Sequence, residues 1–218
     1  MLDGPDGIAE MRRLGARSIP ILSRGDEWVY AQNIAHVVKF LGLNEKAGPV
    51  LSPDQLMART DLFLTTAARL IRQMPDAHLT TEVPNRPRSY KVLAHHIFRI
   101  QEAFMEMANG ATLTYDGLTN RPGDDMSNFS DIAAYGDQVH EKLLTWWANK
   151  ADHSGNDPVS TYYGPQTLHE TMERACWHSG QHVRQWIMLL GMQGIEADGP
   201  LPPPAYADLP MPKNAWDS

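Results

Sequence analysis

Between Thr167 and Gln185 the chain reads TLHETMERACWHSGQHVRQ, and the phase of this stretch decides the fold. Thr167 and Glu170 have the spacing of a capping box, each side chain answering the other's backbone amide. From there Leu168, Met172, Ala175, His178, His182 and Trp186 or Ile187 recur at helical spacing. One face of a long helix, running to about Gly191, is therefore both apolar and histidine-bearing.

Working outward, three more segments of comparable length carry the same period. Ser52 caps a helix that has Pro53 in its first turn and Gln55 closing a capping box; Leu56, Phe63, Ala67, Leu70, Ile71 and Met74 form its stripe, and Pro75 stops it. A second helix spans about Ser89 to Ala108, with Leu93, Ile97, Ile100, Phe104 and Met107 inward, and halts at Asn109-Gly110. A third spans about Asp131 to Lys150. The connection over residues 111–130 is too long for a tight turn, and such a crossover joins parallel helices. Residues 151–166 read as a loop. The pattern predicts a mainly α protein: a four-helix bundle over residues 52–195 with one long crossover.

Residues 1–43 differ. A helix at about 7–14 leads to an apolar run, Ser18 to Leu22, a turn at Ser23 to Asp26, a second strand at Glu27 to Tyr30, and a helix capped by Asn33. This small α/β segment is below the size at which one core suffices. Residues 44–51, with Gly48-Pro49, read as a linker. Residues 196–218 form a Pro-rich tail expected to wrap the surface in extended form.

Composition narrows the function classes. With 19 Lys and Arg against 26 Asp and Glu, the net charge is −7, and no basic block is present. A nucleic-acid binder needs such a block to displace counterions, so that class is excluded. No apolar run reaches the ~18 residues of a membrane span. The start, MLDGPD, has neither the basic end nor the apolar stretch of a secretory signal, and a single cysteine, Cys176, allows no internal disulfide. The expected setting is cytoplasmic.

Of nine histidines, His178 and His182 alone stand four apart. On a helix they share one face, about 5–6 Å apart at Cβ, so two imidazoles can meet one ion at about 2.0–2.1 Å. A third ligand should come from another helix. His95-His96 in LAHHIFRI is the best source: His96 borders the buried stripe, whereas His95 points about 100° away. His140 is the reserve. The competing reading is a set of core histidines, each satisfied by a neighbour. His36, His78, His153 and His169 read as surface or loop residues. Trp146, Trp147 and Trp177 line either a pocket or the core. Arg184 lies on another face of its helix, at a carboxylate or a solvated rim. Cys176 faces away from the pair and reads as a buried, inert thiol.

The order of a long first helix, LAHHIFRI on the second and QTLHETMERACWHSGQHVRQ on the last resembles the DinB-like (DinB/YfiT) superfamily over about residues 52–192. The resemblance implies a bundle binding a divalent metal through His96, His178 and His182. Zinc suits three imidazoles best, with nickel or iron compatible. It further implies a thiol-dependent transferase or isomerase acting on a small electrophile; the alternative is a non-catalytic metal-binding stress-response bundle. Residues 14–43 are similar to the second half of a glutaredoxin. That likeness implies glutathione as cosubstrate, docked at Ile19 and Pro20, while the half carrying the redox cysteine is missing. Exposed strand edges in this segment lead to an expected homodimer.

Overall fold

Capping decides where the long helices begin. A computed structural model of the chain describes residues 5–16, 20–45, 47–84 and 86–215. Ser52 and Gln55 exchange both capping-box bonds at the head of α3 (Pro53–Ile71; α1 and α2 belong to the N-terminal unit). Thr167 and Glu170 do the same for α7 (Leu168–Met192), and Asn128 and Asp131 for α6 (Phe129–Asn149). Ser89 caps α4 (Tyr90–Ala108). The crossover contains one short helical turn, α5 (Tyr115–Leu118).

Side-chain contacts give the direction of each helix. Asp76, just past α3, accepts from the Phe129 amide at the start of α6, and Asp54, at the start of α3, accepts from the Trp147 indole near the end of α6. Those two helices are antiparallel. Tyr90 and Phe129, each at a helix start, both pack on Trp186, and further along Phe104 meets Trp146. The crossover therefore joins parallel helices, α4 and α6, as its length implied. Gln193, at the end of α7, donates to the Tyr90 hydroxyl, so α4 and α7 are antiparallel. Each of α3 and α4 packs on both α6 and α7, which leaves α3 diagonal to α4. Phe63, Leu64, Leu93, Ile97, Phe98, Ile132, Leu143, Val183 and Trp186 fill the centre and are buried. No helix among the described residues is long and apolar enough to cross a membrane.

The chain divides into two compact units, Met1–Pro49 and Val50–Ser218. The first holds α1 (Pro5–Arg13), an antiparallel hairpin of β1 (Ile21–Arg24) and β2 (Glu27–Tyr30), and α2 (Ile34–Leu41). The expected first strand, Ser18 to Leu22, lies partly outside the described residues, and the observed strand runs on through Ser23 and Arg24. Only Gly25-Asp26 turns, with Gly25 at φ 64°, where a two-residue hairpin loop needs glycine first.

Two other expectations are corrected. Residues 151–166 are not simply a loop, because β3 (Pro158–Thr161) and β4 (Gly164–Thr167) form a hairpin that leads into α7. Its period-two burial sits between polar and proline residues that read as breakers. The tail is not plainly extended: it makes a 3-10 turn at Pro203–Tyr206, buries Ala205, and stacks Tyr206 on Phe63 with centroids 5.4 Å apart.

Helix approach is tightest where a side chain is missing. A Cβ on Gly136 would sit 2.3 Å from the Phe98 ring. Replacing Gly136 with Ala gains about 1 kcal/mol of helix propensity, but forcing Phe98 off its position costs about 1–3 kcal/mol. We expect Gly136→Ala to lower the urea midpoint; an increase would show that α4 and α6 can separate freely.

Candidate metal centre

Antiparallel packing of α4 on α7 brings His96 to the pair on α7. The height of one helix against the other is set by a buried clasp. Gln101 Nε2 donates to the Ala175 carbonyl at 2.9 Å and to Ser179 Oγ at 3.0 Å, and Ser179 Oγ donates to the Ile97 carbonyl at 3.0 Å. Ile97 follows His96 and Ser179 follows His178, so the clasp places those rings side by side.

The ring centroids of His96, His178 and His182 are 4.8–5.3 Å apart. One nitrogen from each lies within 4.8 Å of the others, a group that could hold a metal ion. His96 and His182 are buried and His178 is half-buried. Burial pushes His96 down to about 3, helped by the nearby Arg88 and His95 charges. Burial likewise holds His178 and His182 well below the usual imidazole range, with repulsion among the rings adding to it. All three rings are therefore neutral, the state a metal ligand requires.

His182 supplies the test of fit. Its Nδ1 is 2.6 Å from Gln185 Oε1, and Gln185 Nε2 donates to the Ala215 carbonyl at 2.9 Å. The carbonyl partner fixes the amide's orientation, so Oε1 faces the imidazole and Nδ1 carries the proton. Nε2 then holds a lone pair, and it is buried with no hydrogen-bond partner. A buried acceptor left unsatisfied is costly; a cation at the centre of the three rings would satisfy it. His96 has a backbone hydrogen bond to Leu118. Leu118 is itself held through Arg99, which donates to the Gly117 carbonyl at 2.7 Å while pairing with Glu102 and Glu106.

The histidine doublet splits between two faces. His95 turns to α6 and stacks on Tyr135 at 4.9 Å, where burial lowers it to about 4. The reserve ligand His140 is engaged elsewhere, 2.7 Å from Asp61. Among the described residues Arg184 meets no carboxylate: it donates to Gln181 and to the Pro212 and Lys213 carbonyls of the tail. Cys176 is buried, and its thiol is pushed up to about 12 by burial, which makes it inert. Trp147 donates to Asp54, and Trp146 packs on Phe104. Pro20 is exposed, with its carbonyl accepting from the Ala31 amide at 2.9 Å. Ile19 lies outside the described residues.

A cleft of about 480 Å³ opens beside the triad, lined by Arg86, Arg88, Trp177, Gln181 and Gln185 together with His178 and His182, and closed on one side by Pro212 and Ala215 of the tail. On its other side His178 borders a narrow apolar pocket of about 20 Å³ among Ile100, Phe104 and Leu118, room for about one water-sized group.

The DinB superfamily model matches residues 59–186, which include all three histidines. The chain belongs to the DinB superfamily. Comparison with curated proteins gives no match. The superfamily match begins after the N-terminal unit and ends before the tail. Sequence reasoning missed Gln185, Arg88 and Leu118 as parts of this DinB site. Gln185 had a signal, since three residues beyond His182 is one turn on. Arg88 and Leu118 had none, because loops and the crossover deliver them.

Neutral buried rings make stability depend on pH. Below about 6.5 the unfolded chain takes up protons that the folded rings refuse, so each ring's contribution, full above that value, is lost as pH falls toward 3–4. We expect the metal-free protein to lose up to ~1.4 kcal/mol per ring for each pH unit below 6.5, read by urea unfolding between pH 7 and 5. A flat profile would contradict neutral burial. Separately, Gln185→Ala should weaken divalent-metal binding about 10–100-fold, measured by competition with a chelator.

Proposed function

We propose that this DinB-superfamily chain is a divalent-metal-dependent enzyme acting on a small molecule, with His96, His178 and His182 as its protein ligands. The observation that carries the reading is the donor count. Among the described residues, three imidazoles and no fourth His, Cys, Asp or Glu make up the group, and the group borders a cleft. Three protein ligands with one open position is the catalytic pattern, whereas four close a structural site. Three neutral nitrogens suit zinc, and nickel or iron are compatible.

When bound, the dication supplies Lewis acidity, favouring hydroxide over water or thiolate over thiol at the open position. The chain supplies the rest. Gln185 holds His182 in the tautomer that presents Nε2, the Leu118 backbone hydrogen-bonds His96, and Trp177 and the tail narrow the approach from solvent. The finer reading adds a low-molecular-weight thiol such as glutathione as cosubstrate, docked at Ile19 and Pro20 and attacking an electrophilic substrate. We also propose a homodimer, since α2 leaves Ile34 and Leu41 exposed on a helix with no buried residue.

The test is elemental analysis of protein purified without a His-tag or added metal. We expect about one divalent ion per chain in the wild type and a loss of at least tenfold in affinity in His182→Ala, with wild-type binding in His140→Ala. Sub-stoichiometric metal in both wild type and His182→Ala, with equal thermal stability, would overturn the metal reading. A thiol-consumption screen with glutathione and a panel of electrophiles then tests the transferase reading.

A further inference from the structure

The cleft beside the triad has a marked charge imbalance. Arg86 and Arg88 line it, and among its described lining residues no carboxylate answers them. Arg88 is half-buried, its Nε is fully buried, and that N–H has no hydrogen-bond partner among the described residues. Two other cations withdrawn from solvent in the bundle have carboxylate partners. Arg99 is held by Glu102 and Glu106, and Lys150 by Asp157. A buried N–H without an acceptor is costly, and Arg86 beside it adds like-charge repulsion.

The position is fixed by the fold. Arg88 immediately precedes Ser89, the cap of α4, and its amide and carbonyl are tied into the loop through Arg86 and Val83. The guanidinium is therefore presented on a short, hydrogen-bonded segment rather than on a free loop. Arg88 is also near enough to His96, His178 and His182 for its charge to act on all three rings.

We infer that Arg88, with Arg86 outside it, binds the carboxylate of the small-molecule substrate in the cleft beside the histidine triad. A planar guanidinium edge offers Nε–H and one Nη–H in parallel, the fork that a carboxylate accepts with both oxygens. The substrate class is accordingly a small carboxylic acid whose reacting group extends from the carboxylate toward His178 and His182. This rests on reading the cleft as the substrate site of a metal enzyme.

The test uses the full-length protein labelled with ¹⁵N, with acetate as probe and acetamide as its neutral counterpart. The Arg88 Nε–H resonance is identified by its loss in Arg88→Lys, a variant that keeps the charge. We expect acetate, and not acetamide or an equal concentration of chloride, to shift that resonance in metal-loaded and in metal-free protein alike. Followed at the Trp177 indole N–H, acetate affinity should fall about 10–100-fold in Arg88→Lys and less in Arg86→Gln. An acetate shift seen only in loaded protein would mean that the metal, not Arg88, holds the carboxylate, and would overturn the proposal. So would a shift with inorganic phosphate but not acetate, or no shift at all. Metal content is measured on the same samples. A wild type without metal but with the acetate shift would defeat the metal reading and leave the Arg88 site standing.

Discussion

Ser179 donates to the Ile97 carbonyl and accepts from Gln101, and this one buried exchange sets the register on which the site depends. Its members lie in the apolar interface of α4 and α7, where an unsatisfied amide or hydroxyl would be expensive. A slip of one helical turn, about 5.4 Å, would break all of these bonds and carry His96 away from His178. About 100° further round α7, a Cβ on Gly180 would stand 2.6 Å from the Phe63 ring, so α7 is seated closely on α3 as well. The helix that carries two of the three rings is thus clamped from two directions, by polar exchange on one and by close packing on the other.

Rigidity of this kind has an energetic purpose. Three imidazoles gathered in a desolvated interface stabilise nothing by themselves: their lone pairs lose water, and their protonation is suppressed. The bundle tolerates the arrangement because the surrounding core is large and the polar groups of the neighbouring clasp, Gln101 and Ser179, are matched. Orientation is relayed outward in two chains of contacts. One runs from His182 through Gln185 to the Ala215 carbonyl of the tail, and the other from His96 to Leu118 and on through Gly117 to the Arg99 ion pairs. Two of the three rings, His96 and His182, are thus tied to groups beyond the triad itself.

What was legible in the sequence was local. Ser52 with Gln55 and Thr167 with Glu170 announce helix starts through bonds spanning three residues, and the spacing of His178 and His182 follows from one turn of helix. The same geometry separates His95 from His96, since neighbouring residues diverge by about 100°, and the structure duly sends them to α6 and α7. What was illegible depends on segments distant in the chain. Nothing near Arg88 says that it will face His178, ninety residues on, and nothing in Gln185 foretells that Ala215 will hold its amide. The hairpin over 158–167 was hidden because Val159 and Thr161 turn inward only when the bundle offers a surface to cover. His140 looked available until Asp61, from another helix, was seen to occupy it.

The extent of the superfamily match separates two layers of this site. Residues 59–186 contain the three histidines, Gln185, the clasp and Arg88, so the aimed rings and the cation beside them lie within the shared fold. The wall formed by Pro212 and Ala215 does not; it comes from a tail anchored through Arg59, Arg69 and Gln73 on α3 and the turn after it, and through Gln181 and Arg184 on α7. These anchors are bonds to backbone carbonyls, which constrain the path of the tail while leaving its side chains free to vary. A cleft with a fixed floor and a separately supplied wall can change what it admits with little effect on the rings, because among the described residues the wall bears on them through Gln185. The floor thus lies within the span of the superfamily match, and the wall that shapes what reaches it lies outside that span.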